Sequence, residues 1–265
     1  MATLFAEQLT ATEFGAFVDA ATIGVLPVAA IEPHGPHLPL STDSDIARGH
    51  LTGLADVVRE DLDVLVLPLQ AIGHSIEHQG QKGLFSHSAE TLLTAWDDVV
   101  APFRLAGGRR LVIVSSHGGN SEVAALLATR LRAQYGMLAV TAAWLRFGQP
   151  EGLFEPDELA YGIHGGAVET SLMLHYRPEA VRRDRLDDFA SAAREWDGES
   201  FHLKVHGRTR PGWLTRDLNA AGAVGDATAA SAEKGAASAR HALARFAELL
   251  EDVTAFDLKR LGDAP

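Results

Sequence analysis

The sequence predicts an α/β fold: a three-layer α/β/α sandwich with a mainly parallel central sheet. Three observations lead there. Short apolar runs rich in branched residues, the composition of strands buried on both faces, recur at Ile23 to Ile31, Val64 to Leu69, Leu111 to Val114 and Leu138 to Ala143. Segments with apolar residues at helical spacing separate them, and strand-helix alternation of this kind implies parallel strands covered on both sides. Polar, glycine-rich segments follow the runs, at the carboxyl ends of strands where open α/β sheets bind ligands.

Taken in order, Leu9 to Ala20 has helical spacing and a capping box, Thr10 as N-cap with Glu13 three residues later. The first strand comes next, then a helix over Ser44 to Glu60 (Ile46, Ala47, Leu51, Leu54, Ala55 and Val58 on one face) and a second strand from Val64. Residues 70–89 break into a polar loop, Gly73-His-Ser-Ile-Glu77-His78-Gln-Gly80, expected at the rim of an active site. Ala89 to Ala106 is an amphipathic helix stopped by Gly107-Gly108, and the third strand follows. Ser121 to Tyr135 is helical with Gly136 as its stop, and Leu138 to Ala143 is the fourth strand. Residues 147–161 are irregular and acidic, Ala167 to Tyr176 is helical and ended by Pro178, and 182–210 is mixed, with Trp196 to Gly198 and Phe201 to His206 as short strands or a lid. Ala227 to Val253, rich in Ala, Glu, Lys, Arg and Leu, is a surface helix.

With 265 residues, 46% of them hydrophobic, and no internal repeat, one domain over 1–265 is the simplest organisation. A formal charge of -12 argues against nucleic acid or an anionic membrane as partner, since both demand clustered Lys and Arg. No cysteine is present, which excludes disulfides and thiolate ligands, so any metal must be held by nitrogen and oxygen. The first ten residues lack a basic region followed by an apolar core, and no apolar run is long enough to cross a bilayer; a cytoplasmic enzyme is expected.

Chemistry concentrates after the first strand, in Glu32-Pro-His34-Gly-Pro-His37-Leu-Pro-Leu-Ser-Thr-Asp43, where prolines leave few free torsions. One such cluster is usually a solvated turn, but two further strand-like segments end in the same chemistry: Ser116-His117-Gly118-Gly119-Asn120 and His164-Gly-Gly-Ala-Val-Glu169-Thr-Ser. Together Glu32, His34, Asp43, His117 and Glu169 offer three carboxylates and two imidazoles, the demand of a two-metal site in which one carboxylate bridges, a role that suits Asp43 after its rigid turn. Two ions about 3.5 Å apart would hold a water between them and polarise a carbonyl, which suits hydrolysis of an amide-type bond.

The segment Glu32 to Asp43 resembles the signature of the creatininase family, the creatinine amidohydrolases and their relatives, with Pro33 where that signature usually has Gln. Ser116 to Asn120, His164-Gly165-Gly166 with Glu169-Thr170-Ser171, Gly225-Asp226 and Ala232 to Gly235 resemble later family elements in order, so the likeness runs over roughly residues 20–240. It implies an α/β/α fold, a centre of two divalent ions, zinc or manganese with iron also compatible, and hydrolysis of a C–N bond in a cyclic amide, formamide or peptide-like compound. It further implies Glu32, His34, Asp43 and His117 as ligands with Asp43 bridging, His164 as a catalytic proton carrier, and a homo-oligomer, a hexamer being favoured. Creatininase proper has a Glu two residues after the histidine at 117; this chain has Gly119, so the fifth ligand must come from elsewhere, and Glu169 is assigned to it and to catalysis, with Glu122 the alternative. That departure, and Glu158-Leu-Ala-Tyr161-Gly-Ile163 before His164, make creatinine itself a poorer substrate than another amide or a modified peptide.

Among the remaining candidates His78, Gly118, Gly119 and Asn120 are assigned to substrate, Asn120 as an oxyanion donor or else a helix cap. Glu77-His78 either reaches substrate or belongs to a solvated rim with His74 and His87. His37 is read as a supporting histidine beside a ligand, Asp45 as a helix cap or a ligand, and His50, His175 and His241 as packing or surface residues. Two alternatives to amide hydrolysis stand: the same metals cleaving a C–C bond of a cyclic ketone or the end of a modified peptide, or a non-catalytic small-molecule binding protein.

Overall fold

The computed structural model describes residues 3–206 and 209–262. The expected domain over 1–265 therefore includes 1–2, 207–208 and 263–265, which lie outside the described residues. In chain order the elements are β1 (Thr3–Phe5), α1 (Ala11–Phe17), β2 (Ile23–Val28), α2 (Thr42–Thr52), β3 (Val64–Val66), α3 (Ala89–Leu105), β4 (Arg110–Ser115), α4 (Ser121–Tyr135), β5 (Leu138–Ala143), α5 (Pro156–Tyr161), α6 (Ala167–Tyr176), β6 (Asp188–Phe189), α7 (Ala193–Glu199), α8 (Thr215–Leu218), β7 (Gly225–Asp226) and α9 (Ala232–Ala255). Five strands form one parallel sheet in the order β1-β3-β2-β4-β5, and β6 and β7 make a small antiparallel pair.

Strand alternation sends side chains to two cores. Leu26 and Val28 of β2, with Leu111 and Ile113 of β4, meet Trp96 and Phe103 of α3 and Leu127 and Leu131 of α4. On the opposite face Ile23, Val25, Val112 and Val114 meet Phe246, Leu250 and Val253 of α9. This is the α/β/α sandwich that the alternation of runs predicts. A third cluster packs α6 (Leu172, Met173) against Ile46 of α2 and Ala239 of α9, and so fixes the helix that carries Glu169.

The capping box of α1 forms as read, Thr10 Oγ1 accepting from Glu13 N at 3.3 Å and Glu13 accepting from Thr10 N at 2.8 Å. Differences have local causes. The second helix ends at Thr52 rather than Glu60, capped by Gly53, and Leu54 turns in to pack near α9. The second strand ends at Val66 because Pro68 has no N–H for the ladder, although Leu67 and Gln70 still donate to β2 carbonyls. Trp196 to Gly198 is not a strand: it is the end of α7, whose Trp196 packs with Val205 and Leu218. Phe201 to His206 is irregular apart from one bridge at Leu203. The last helix starts at Ala232 and is half-buried on the sheet rather than superficial.

Candidate metal centre

The site lies at the carboxyl ends of β2, β3 and β4. Glu32 follows β2 and is fixed by its N–H donating to Leu40 O at 3.0 Å, which closes the proline-rich loop. His34 Nδ1 is 3.1 Å from Glu32 O, so Nε2 faces inward, 3.5 Å from Asp43 Oδ1, 3.8 Å from Glu169 Oε2 and 3.9 Å from Glu32 Oε1. His117 stands just beyond β4. Its Nε2 is 2.9 Å from His74 O, and its Nδ1 faces Glu32 Oε1 at 3.3 Å and Asp43 Oδ2 at 3.4 Å. Asp43, on the first turn of α2, thus presents one oxygen to each imidazole. Glu169, on the first turn of α6, accepts from Gly165 N at 2.6 Å. Gly165 has φ +65, a conformation glycine adopts without strain, and this turn aims its N–H at the carboxylate.

All five side chains are buried: Glu32 and His34 are fully so, and Glu169 is 7% exposed. Glu32 Oε1 and Oε2, His34 Nε2 and Asp43 Oδ2 make no hydrogen bond among the described residues. Buried polar atoms left so cost about 1–3 kcal/mol each, more when charged, a cost that a cation held among them would offset. Donors held about 2.0–2.2 Å from a tetrahedral ion lie roughly 3.3–3.6 Å apart, close to the separations here. Groups able to hold an ion are Glu32 with His34 and His164, Glu32 with Glu77 and His117, and His34 with Asp43 and Glu169. The donors fit divalent cations that accept nitrogen and oxygen.

The buried groups shift one another's proton affinity. Burial pushes His34 down, but the carboxylates of Asp43, Glu169 and Glu32 carry it up to about 9. Burial likewise opposes His117, and Glu32 with Asp43 holds it well above the usual range. Burial raises Glu169 to about 7 despite nearby His34. Cation binding at such a site displaces protons.

His164 donates from Nε2 to Pro33 O at 2.8 Å, which leaves Nδ1 without a proton and 3.7 Å from Glu32 Oε1. Burial, then the neighbouring His34 and His78, keeps it well below the usual imidazole range and therefore neutral. Its ring stacks on His34 at 4.1 Å. His78 reaches Glu32 Oε1 with Nε2 at 3.2 Å while its Nδ1 is 3.1 Å from Thr215 Oγ1. His37 supports the site from behind, Nε2 lying 2.9 Å from Gly165 O and 3.0 Å from Thr170 Oγ1.

A cavity of about 590 Å³ is lined by Glu77, His78, His117, His164 and Glu169 together with Val123, Leu126, Ile163 and Trp213. Gly118 and Gly119 line it. Asn120 does not: its carboxamide accepts from His74 N and donates to Ala29 O, both at 3.0 Å, tying the loop of residues 73–78 to β2. Glu122 is on the cavity rim, ion-paired with Arg210 and apart from the buried donors. Asp45 is also outside, bonded to Ser41 and Arg177. The residue that sequence spacing undervalues is Glu77, whose only signal is a carboxylate-imidazole doublet in a glycine-rich loop after a strand.

The family model described as Creatininase, creatinine amidohydrolase, matches residues 7–250. The chain is 33% identical over 171 residues to the mycofactocin precursor peptide peptidase of Mycolicibacterium smegmatis, a match covering 61% of each chain, so it spans about three fifths of that relative's length. It is 30% identical over 206 residues to a creatinine amidohydrolase of Pseudomonas putida, covering 71% of this chain and 78% of the relative. In structure it is similar to a Bacteroides fragilis protein provisionally described as a creatinine amidohydrolase, with TM-score 0.77, 23% identity and coverage of 96% and 97%. Creatininase structures described as a manganese form and as a Zn-Zn mutant form have TM-score 0.75 at 24% and 23% identity, covering 96% and 97% of this chain and 100% of theirs. At those identities the structures bear on the fold.

Proposed function

The chain belongs to the creatininase family, and on that premise we propose that it is a metal-dependent hydrolase of a C–N bond in a cyclic amide, formamide or peptide-like substrate. The observation that carries this is the set of buried, unpartnered donor atoms on Glu32, His34 and Asp43, gathered with His117 and Glu169 beneath an open cavity. Glu32, His117 and one Asp43 oxygen would hold one divalent cation; His34, the other Asp43 oxygen and Glu169 would hold the second. Zinc and manganese suit this donor set, and related structures described as Mn and Zn-Zn forms support the choice. Bound there, the cations supply Lewis acidity, polarising a carbonyl and acidifying water.

The chain's own residues do the rest. His164, neutral and with Nδ1 free, takes the proton that water loses on adding to the carbonyl carbon and delivers it to the nitrogen as the C–N bond breaks. His78 and the Gly118-Gly119 turn line the path to that carbon, and Val123, Leu126 and Trp213 limit water around the ligand. A modified peptide end is a second substrate class. The similarity to a mycofactocin precursor peptide peptidase favours it, and a cavity of about 590 Å³ has room for either class. Action as one cytoplasmic domain over 1–265, in a homo-oligomer, belongs to the same proposal. Among the described residues no helix is long and apolar enough to cross a membrane.

A turnover screen over lactams, formamides and peptides, run before chelation, after it, and after zinc or manganese is returned, tests the function. Hydrolysis of one class that is abolished and restored is expected. Hydrolysis that survives complete chelation contradicts it.

A further inference from the structure

We propose that Glu77 is the fourth carboxylate of the metal centre, joining Glu32 and His117 at one cation position. The proposal rests on the two-cation reading above.

Geometry comes first. Donor atoms of Glu32, Glu77 and His117 all lie within 4.8 Å of one another, near enough for small side-chain rotations to bring them onto a single ion. Glu32 is fully buried, and both its oxygens lack a hydrogen bond among the described residues. Glu77 reaches this point because position 119 is glycine. A Cβ there would overlap Glu77 Oε1 and His74 O and lie 2.5 Å from His117 Nε2. The space of a side chain at 119 is thus filled by a carboxylate delivered from another loop.

That loop is held in place. Asn120 fixes His74 N, Ser86 Oγ accepts from Ser75 N at 2.9 Å, and Thr215 Oγ1 lies 3.3 Å from Glu77 O. The carboxylate itself is spent on nothing else. Among the described residues its ion-pair partner is His117 Nε2 at 3.3 Å, a nitrogen already engaged by His74 O at 2.9 Å.

Charge points the same way. Glu32, Asp43 and Glu169 bring three negative charges against the four of two divalent cations, and an unbalanced charge in a buried site is costly. Glu77 balances it. Its side chain, 18% exposed, lines the cavity, so it occupies the substrate side of that cation position.

The experiment is zinc binding to the full chain, by equilibrium dialysis with elemental analysis, for wild type, Glu77→Gln and Glu90→Gln, with circular dichroism as the folding control. Wild type and Glu90→Gln, an exposed carboxylate at the start of α3, are expected to retain two ions. Glu77→Gln is expected to keep its spectrum and bind the second ion at least about 10-fold more weakly. Two ions at wild-type affinity in a folded Glu77→Gln overturn the role of Glu77 while leaving the centre standing; no ion in wild type overturns both. A zinc-loaded crystal structure separates ligation from positioning. A Glu77 oxygen about 2.0–2.2 Å from zinc is expected, and one bonded to His117 with no zinc contact overturns the proposal.

Discussion

Gly235 of α9 crosses Ser171 of α6 so closely that a Cβ on the glycine would overlap the Ser171 carbonyl oxygen and lie 2.9 Å from His175 Cβ. The crossing sets where α6, and with it Glu169, stands relative to the sheet. Gly235→Ala is expected to lower unfolding free energy by about 1–3 kcal/mol, the usual cost of overpacking a tight contact. Urea denaturation measures it, and an unchanged midpoint would show that the helices separate without cost.

His50 ties α2 to α6 from the other side, its Nδ1 2.9 Å from Tyr176 OH and its ring stacked on Trp144 at 4.6 Å. Burial pushes it down to about 3. Between the unfolded value near 6.5 and about 3, only the unfolded chain takes this proton, so stability falls as pH falls through that window. The contribution is at most about 1.4 kcal/mol per pH unit. Urea titrations at pH 7 and 5 should show a steeper loss in wild type than in His50→Gln; parallel losses would count against a neutral buried imidazole.

Glu169 and Glu122 separate cleanly by environment, the first buried beside His34 and the second on the rim with Arg210. Glu169→Gln is expected to weaken zinc binding by at least about 10-fold and Glu122→Gln to leave it unchanged. Isothermal titration with zinc reads both, and the reverse order would move the ligand to α4.

His164 shares a potential ion position with Glu32 and His34, so ligation and proton transfer must be told apart. His164→Ala is expected to keep its zinc and lose about 10²–10⁴-fold in kcat, the range for a lost general acid-base group. Added imidazole should restore part of the rate. Loss of an ion instead would make His164 a ligand.

The sequence exposed the layers because buried strands such as Ile23 to Val28 and amphipathic helices such as α3 and α4 have local signatures. Glu32, His34, Asp43 and His117 were legible because their segments follow β2 and β4 and so emerge at one edge of a parallel sheet, whereas Glu169, on α6 with no sheet strand before it, was legible from the company of His164 and its glycines. Glu77 was harder to read. Its importance depends on an empty side-chain position forty-two residues away, which no local pattern records. Asn120 was similarly ambiguous, since a helix cap, an oxyanion donor and a loop anchor all begin with the same residue after glycine. The three-residue β1 is too short for a period to register, and Trp196 became helical because an apolar patch on Leu218 and Val224 receives it.

Metal content of the purified protein and of Asp43→Ala, measured per chain by elemental analysis after zinc loading, tests the centre most directly, because Asp43 presents a separate oxygen to each of the two imidazoles. Two ions in wild type and at most one in a folded Asp43→Ala are expected. An Asp43→Ala protein that still holds two ions would contradict the bridging carboxylate and the centre built around it.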